Sequence, residues 1–209
     1  EFELMIRTGC RFSEAHLLRV GCFPREVNWK DSWRAQGAIP IKLRYGVKGP
    51  KVSPSSDQST RSRIAFVPLD LAERIEHYLT FVRPTLLARN RRNSRDPIKP
   101  TDRLWLGEYT NRPVAYSTIY KAWTSCPHCP QQWHPHAARH YFSVERVVES
   151  MRDFIALNGL QQSLSANGIG WLHGLMAGQI RLILSPLLGH VDERTSERYC
   201  RAARVRLLG

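Results

Sequence analysis

The feature that most constrains this chain is a pair of short alternating apolar segments separated by a stretch unsuited to helix or buried strand. Ile39, Ile41, Leu43 and Tyr45 alternate with proline or polar neighbours, and a second apolar run covers Ile64 to Leu69. A period of two places every second side chain on one face, as in a half-buried strand. Between them, Gly46 to Arg63 is rich in Gly, Pro, Ser and Lys, which predicts a long exposed hairpin loop. The expected sheet is therefore small and antiparallel, near the N-terminal end.

The remainder carries helical signals. A first helix is expected from about Ser13 to Val20, with Ser13 as N-cap and Leu17 and Leu18 facing inward. Asp70-Leu71-Ala72-Glu73 has the pattern of a capping box, with Asp70 as cap. The helix after it carries Leu71, Ile75, Leu79 and Val82 on one face, and Pro84 is expected to end or kink it. Arg89 to Thr101 is expected as a basic loop, its Arg-rich run either touching phosphates or solvated. Leu104-Trp105-Leu106 is a short strand or turn, and Ser117 caps a brief helix through Trp123. A longer helix is expected from Pro135 to about Asn158, stopped by Gly159. Further helices are expected near Ala177 to Leu188 and Thr195 to Arg206. The fold class is α+β, mainly α, with one small antiparallel sheet.

Composition narrows the partners. The 209 residues include 31 Lys and Arg against 18 Asp and Glu, a formal charge of +13. Such a surplus repels itself within a fold and attracts polyanions, nucleic acid first. Hydrophobic residues make up 42%, enough for a real core. No apolar run has the length of a membrane span. The 5 cysteines are irregularly spaced, which suggests reduced thiols in a cytoplasmic protein. Cys126-x2-Cys129 followed by His134 has ligand-like spacing for zinc, and a reduced thiol pair is the alternative.

Four segments carry the chemistry. They are Thr8-Gly9-Cys10-Arg11-Phe12-Ser13-Glu14; Gly46-Val47-Lys48-Gly49-Pro50-Lys51 with Phe66-Val67-Pro68-Leu69 beyond it; His134-Pro135-His136-Ala137-Ala138-Arg139-His140; and Leu187-Leu188-Gly189-His190, then Thr195 and Tyr199. In this order they resemble the signature boxes of the tyrosine recombinase (phage integrase) family, spread from residue 8 to 201.

That resemblance implies site-specific DNA recombination or integration, by cleavage and rejoining through a 3′-phosphotyrosyl intermediate. Tyr199 is the implied nucleophile. Arg11 and Arg139 are assigned to the non-bridging phosphate oxygens, which forked guanidinium donors suit. Arg139 lies three residues after His136, hence on the same helix face. His136 would accept the tyrosine proton or bond the phosphate, His190 would donate to a phosphate oxygen, and Glu14 would support the site. The departing 5′-oxygen needs a proton, and Lys48 on a mobile hairpin is the expected general acid, with Lys51 its rival. No metal or nucleotide cofactor is expected.

The implied partners are double-stranded DNA and further copies of the chain, a homotetramer in the full-length protein. Residues 1–209 are expected to be a catalytic-domain fragment whose N-terminal DNA-binding domain is absent, nucleoid-associated if bacterial. A type IB topoisomerase and a non-catalytic DNA-binding module are the competing functions. Two intervals depart from the family pattern. The Arg139 to His190 interval is long, with the excess around residues 157 to 178, an extra helical element or a loop over the site. The Arg11 to Lys48 interval is long as well.

Overall fold

A computed structural model describes residues 1–93, 101–127, 129, 133–159, 174–178, 181–182, 188 and 193–208. They fall into two compact units, Glu1–Ala138 and Arg139–Gly209.

The first unit is built on one hairpin. Strands β1 (Ala38–Tyr45) and β2 (Gln58–Pro68) pair antiparallel, with Ile39 opposite Val67, Ile41 opposite Ala65 and Leu43 opposite Arg63. Alternation sorts their side chains. Ile39, Ile41, Leu43, Ala65 and Val67 are buried, whereas Lys42, Arg44, Ile64 and Phe66 are exposed. The buried face joins Leu4, Met5, Leu18, Leu71, Ile75, Leu79, Leu104 and Trp123 in one core.

Helix α1 (Phe2–Thr8) precedes the first helix expected from the sequence and packs on β2. Gly9 ends it at φ 64°, a left-handed conformation that costs glycine no steric penalty, and its N–H donates to the Met5 carbonyl at 3.1 Å. Helix α2 then covers only Phe12–His16. Its N-cap is Arg11 rather than Ser13, because Glu14 reaches back to accept the Arg11 backbone N–H at 2.7 Å. Helix α3 (Asp31–Ala35) leads into β1.

Helix α4 (Leu69–His77) has Pro68 as N-cap, so Asp70 lies one position inside the first turn. There its carboxylate takes both ends of the Arg7 guanidinium, at 2.5 and 2.8 Å, which replaces the expected capping role. The chain also runs past Pro84. Tyr78–Val82 is π-helical and continues into α5 (Arg83–Asn93). A wide turn relieves the clash of the Pro84 ring with the carbonyl four residues earlier and absorbs its missing N–H. The start of the expected basic loop is therefore the end of a helix, and residues 94–100 lie outside the described set. Helix α6 (Tyr116–Thr124) has Ala115 as N-cap, two residues before the expected Ser117.

Helix α7 (Pro135–Leu157) begins at the proline and stops just before Gly159. Within the second unit it presents Val147, Val148, Met151 and Ile155 to a small core shared with Met176, Leu188 and helix α8 (Glu193–Leu208), from which Tyr199, Cys200 and Ala203 enter. The 147/148/151/155 spacing is the apolar stripe of a helix covered on one side. Residues 174–178 are helical, and most of the expected Ala177 to Leu188 helix lies outside the described residues. Among the described residues, no helix is long and apolar enough to cross a membrane.

Candidate active site

The turn between α1 and α2 sets Arg11. Thr8 Oγ1 donates to the Leu4 carbonyl at 2.6 Å, Gly9 reverses the chain, and the Arg11 backbone is held by Glu14. The Glu14 carboxylate is fully buried and accepts from two arginines. Arg11 Nη1 donates to one oxygen at 2.8 Å, while Arg63 spans both, from Nε at 3.1 Å and Nη2 at 2.5 Å. Burial pushes the Glu14 carboxyl up, but the Arg63 fork and then Arg11 more than offset it, so its pKa falls below the ordinary carboxylate value. Burial pushes the Arg63 guanidinium down, but the Glu14 hydrogen bond together with the charges of Cys10 and Glu14 carries it above its ordinary value, so Arg63 stays charged. One buried anion thus orients Arg11 while a second arginine helps neutralise it.

The sequence pattern places Arg63 in the exposed hairpin loop, and the structure differs: the residue belongs to β2, whose buried positions Ser59, Arg63, Ala65 and Val67 face inward. Extending the alternation back from Val67 and Ala65 would have reached it.

The expected proton donor sits close in the chain to a backbone clip. Ser13 Oγ donates to the Gly46 carbonyl at 2.9 Å, and Gly46 N–H donates to the Asp57 carbonyl at 3.1 Å. At φ 67°, a Cβ on Gly46 would stand 2.5 Å from the Ser13 carbonyl oxygen, so only glycine fits. Pro50 is fixed too, its carbonyl accepting from Thr60 N–H at 2.9 Å and Ser59 Oγ at 3.2 Å. Lys48 therefore rides on a short arch, Val47-Lys48-Gly49, between two hydrogen-bonded points. Lys48 and Lys51 are both exposed, and Lys51 bridges to Ser59 in the return pairing.

A cleft of about 320 Å³ opens beside Arg11, lined by Phe12, Ser13, Tyr116, Tyr120, His134 and His136. Arg11 and His136, far apart in sequence, thus share one cavity. The His134 and His136 rings lie nearly parallel, 6.3 Å between centroids at 10°, with Pro135 at the first position of α7 between them. A permanently charged guanidinium beside two imidazoles suits an anion of phosphate chemistry.

Arg139 and Tyr199 belong to the second unit. Arg139 is buried, and its Nη2 donates to the carbonyl of Leu188, two residues before His190. The H-x-x-R-H helix is thereby tied to Leu188; Leu187, Gly189 and His190 lie outside the described residues. Tyr199 is only 3% exposed. Its hydroxyl meets His140 Nδ1 at 3.1 Å, the rings 5.6 Å apart. His136 was expected to meet either the tyrosine or the phosphate; His140, one turn along, holds the tyrosine contact. The sequence offered a signal in the second histidine of the box, immediately after Arg139.

Cys126 and Cys129 are free thiols, and Cys129 N–H donates to the Cys126 carbonyl at 3.0 Å. Among the described residues no three His, Cys, Asp or Glu side chains converge as a metal site would require, so the zinc reading of Cys126, Cys129 and His134 finds no support there; His128 lies outside that set.

Among the described residues, a mainly helical composition, one β-hairpin beside the arginine turn and a long helix opened by His-Pro-His define the fold of a tyrosine recombinase catalytic domain. The chain is similar to the XerA recombinase, with a TM-score of 0.54 at 18% identity over 97% of this chain and 54% of that one. It is also similar to the XerH site-specific recombinase bound to palindromic difH substrate, with a TM-score of 0.52 at 16% identity over 99% of this chain and 42% of that one. The chain thus spans about half the length of these recombinases. No family model matches the sequence, and no curated protein matches it.

Proposed function

We propose that this chain is the catalytic domain of a site-specific DNA recombinase that cuts and rejoins duplex DNA through Tyr199. The observation carrying this reading is the cleft that Arg11 shares with His136, with Arg11 itself held by a buried Glu14–Arg63 pair. A site built to hold an arginine rigidly beside imidazoles is built for a phosphate rather than for a fold.

In the proposed reaction the Tyr199 oxygen attacks phosphorus, the Tyr–O–P bond forms and the bond to the 5′-oxygen breaks. His140, whose Nδ1 lies 3.1 Å from the hydroxyl, accepts the phenol proton in its Nε2–H tautomer. His136 then remains for the phosphate in the Arg11 cleft. Arg11 and Arg139 hold the non-bridging oxygens, joined by His190 as a donor. Lys48 protonates the departing 5′-oxygen, with Lys51 its rival. Attack by another 5′-hydroxyl reverses the sequence and joins a new strand. Guanidinium and imidazole groups supply charge stabilisation that metals supply elsewhere.

Double-stranded DNA is the substrate, and the full-length protein acts as a homotetramer with a separate N-terminal DNA-binding domain, in the cytoplasm on the nucleoid if bacterial. The reading is tested by incubating the protein with nicked duplexes carrying the gene's own flanking DNA. An SDS-stable adduct mapping to Tyr199, absent in Tyr199→Phe, is expected. An adduct elsewhere, or none with bound DNA, overturns it. Relaxation of supercoiled plasmid without strand exchange would indicate a topoisomerase instead.

A further inference from the structure

We propose that Tyr116 and Tyr120 form a nucleic-acid contact wall of the Arg11 cleft, packing their rings on the deoxyribose beside the phosphate that Arg11 holds. The proposal rests on the function proposed above and names a subsite within it.

Both tyrosines project from α6, four residues apart and so on one helix face. Both line the same cleft as Arg11 and His136. Their rings are nearly parallel, 6.5 Å between centroids at 12°. Phe12, the residue after Arg11, backs them, its ring 4.1 Å from Tyr116 and 6.4 Å from Tyr120. The division of burial is informative. Phe12 is 7% exposed and belongs to the core, whereas Tyr116 and Tyr120 are 52% and 42% exposed. A purely structural aromatic cluster would bury its largest rings. This one buries the phenylalanine and leaves two amphipathic rings facing a cavity.

The chemistry of the cleft selects the occupant. Its charged wall fits a phosphate and its aromatic wall fits an apolar C–H surface attached to that phosphate. A deoxyribose offers such a C–H face at every nucleotide, so the contact needs no particular base. Burial, then neighbouring Tyr120, raises the Tyr116 phenol above its ordinary value, so that ring adds no negative charge where a phosphate must approach.

The test compares tyrosine acetylation by N-acetylimidazole in the full chain, with and without saturating duplex oligonucleotide, read by mass spectrometry. Duplex should protect Tyr116 and Tyr120 several-fold. Tyr109, 79% exposed and no part of the cleft lining, is the comparison. Equal acetylation of Tyr116 and Tyr120 with and without bound duplex overturns the wall and leaves the recombinase reading intact. Failure of the chain to bind duplex at all overturns both. Tyr120→Ala should weaken duplex binding roughly ten-fold, within the range of ring contacts to nucleic acid, and Tyr120→Phe should retain most of the affinity. An unchanged affinity in Tyr120→Ala with native melting overturns the proposal. So does loss of the covalent DNA adduct in Tyr116→Phe, which would make that tyrosine the nucleophile. If Tyr116→Ala loosens the Phe12 packing, the acetylation result decides.

Discussion

Replacing Arg63 by methionine leaves the Glu14 carboxylate in place with Arg11 as its remaining guanidinium. The Glu14 side chain is 0% exposed and that of Arg63 is 4% exposed, so water cannot substitute for the lost fork. Breaking a buried pair from one side costs about 3–5 kcal/mol, and the surviving Arg11 contact at 2.8 Å puts the expectation near the lower end, about 3 kcal/mol. Urea unfolding followed by tryptophan fluorescence reads this well, because Trp29, Trp105 and Trp123 all pack in the first unit. The double variant Glu14→Gln/Arg63→Met should recover part of the loss, since it removes the orphaned charge along with its partner. The effect has a direction in pH. Glu14 is held below its ordinary value of 4.5, so in the native protein its contribution is present above that value and lost as pH falls through the lowered folded pKa. In Arg63→Met the orphaned carboxylate is most costly near neutrality, and the gap to the native protein should close in acid as Glu14 protonates. An Arg63→Met variant within about 0.5 kcal/mol of the native protein at pH 7 would refute the buried-pair argument.

Gly46→Ala and Gly37→Ala form a matched pair, both at φ 67°. A Cβ at Gly37 meets nothing within 4 Å, so about 1–2 kcal/mol of left-handed strain is expected; Gly46→Ala also strikes the Ser13 carbonyl and should lose clearly more in urea unfolding. Lys48→Ala in the full-length protein should cleave ordinary DNA very slowly yet recover on a substrate whose bridging 5′-oxygen is sulfur, because a thiolate leaves without a proton. Arg139→Ala should gain nothing from that substitution, and rescue of Lys51→Ala with normal cleavage by Lys48→Ala would move the role to Lys51. Duplex affinity should fall steeply with salt as phosphate contacts release counterions, and cleavage should survive EDTA; a salt-independent affinity, or loss in EDTA restored by magnesium, would count against the arginine cleft.

The elements that depend on local pattern were legible in the sequence. Strict alternation from Ile39 to Tyr45 reported β1, and Pro135 and Gly159 bracketed α7, because proline at a helix start and glycine past its end are local effects. The class of fold was legible from four ordered boxes. What escaped depends on contacts between distant residues. Arg63 keeps the inward phase of Ala65 and Val67, but a buried charge there needs Glu14 as its partner, and a Gly- and Ser-rich neighbourhood hid its place in β2. Pro84 was expected to end or kink the helix, and which of the two happens depends on the π turn of the preceding Tyr78–Val82 segment, which lets the helix continue. That His140 rather than His136 meets the Tyr199 hydroxyl is invisible to a motif, which left His136 between the tyrosine and the phosphate and fixes residue types but not which of two histidines one turn apart meets a side chain from α8.

The anchored arch around Lys48 sets a limit on travel. Gly46 and Pro50 are both tied down by hydrogen bonds, and each extended residue spans at most about 3.6 Å. The backbone between them cannot swing far from the Arg11 turn. Any reach toward a leaving oxygen must come from the lysine's own four-carbon stem. That makes side-chain length the critical dimension at this position. Ornithine, one methylene shorter and equally basic, would separate distance from charge where alanine removes both.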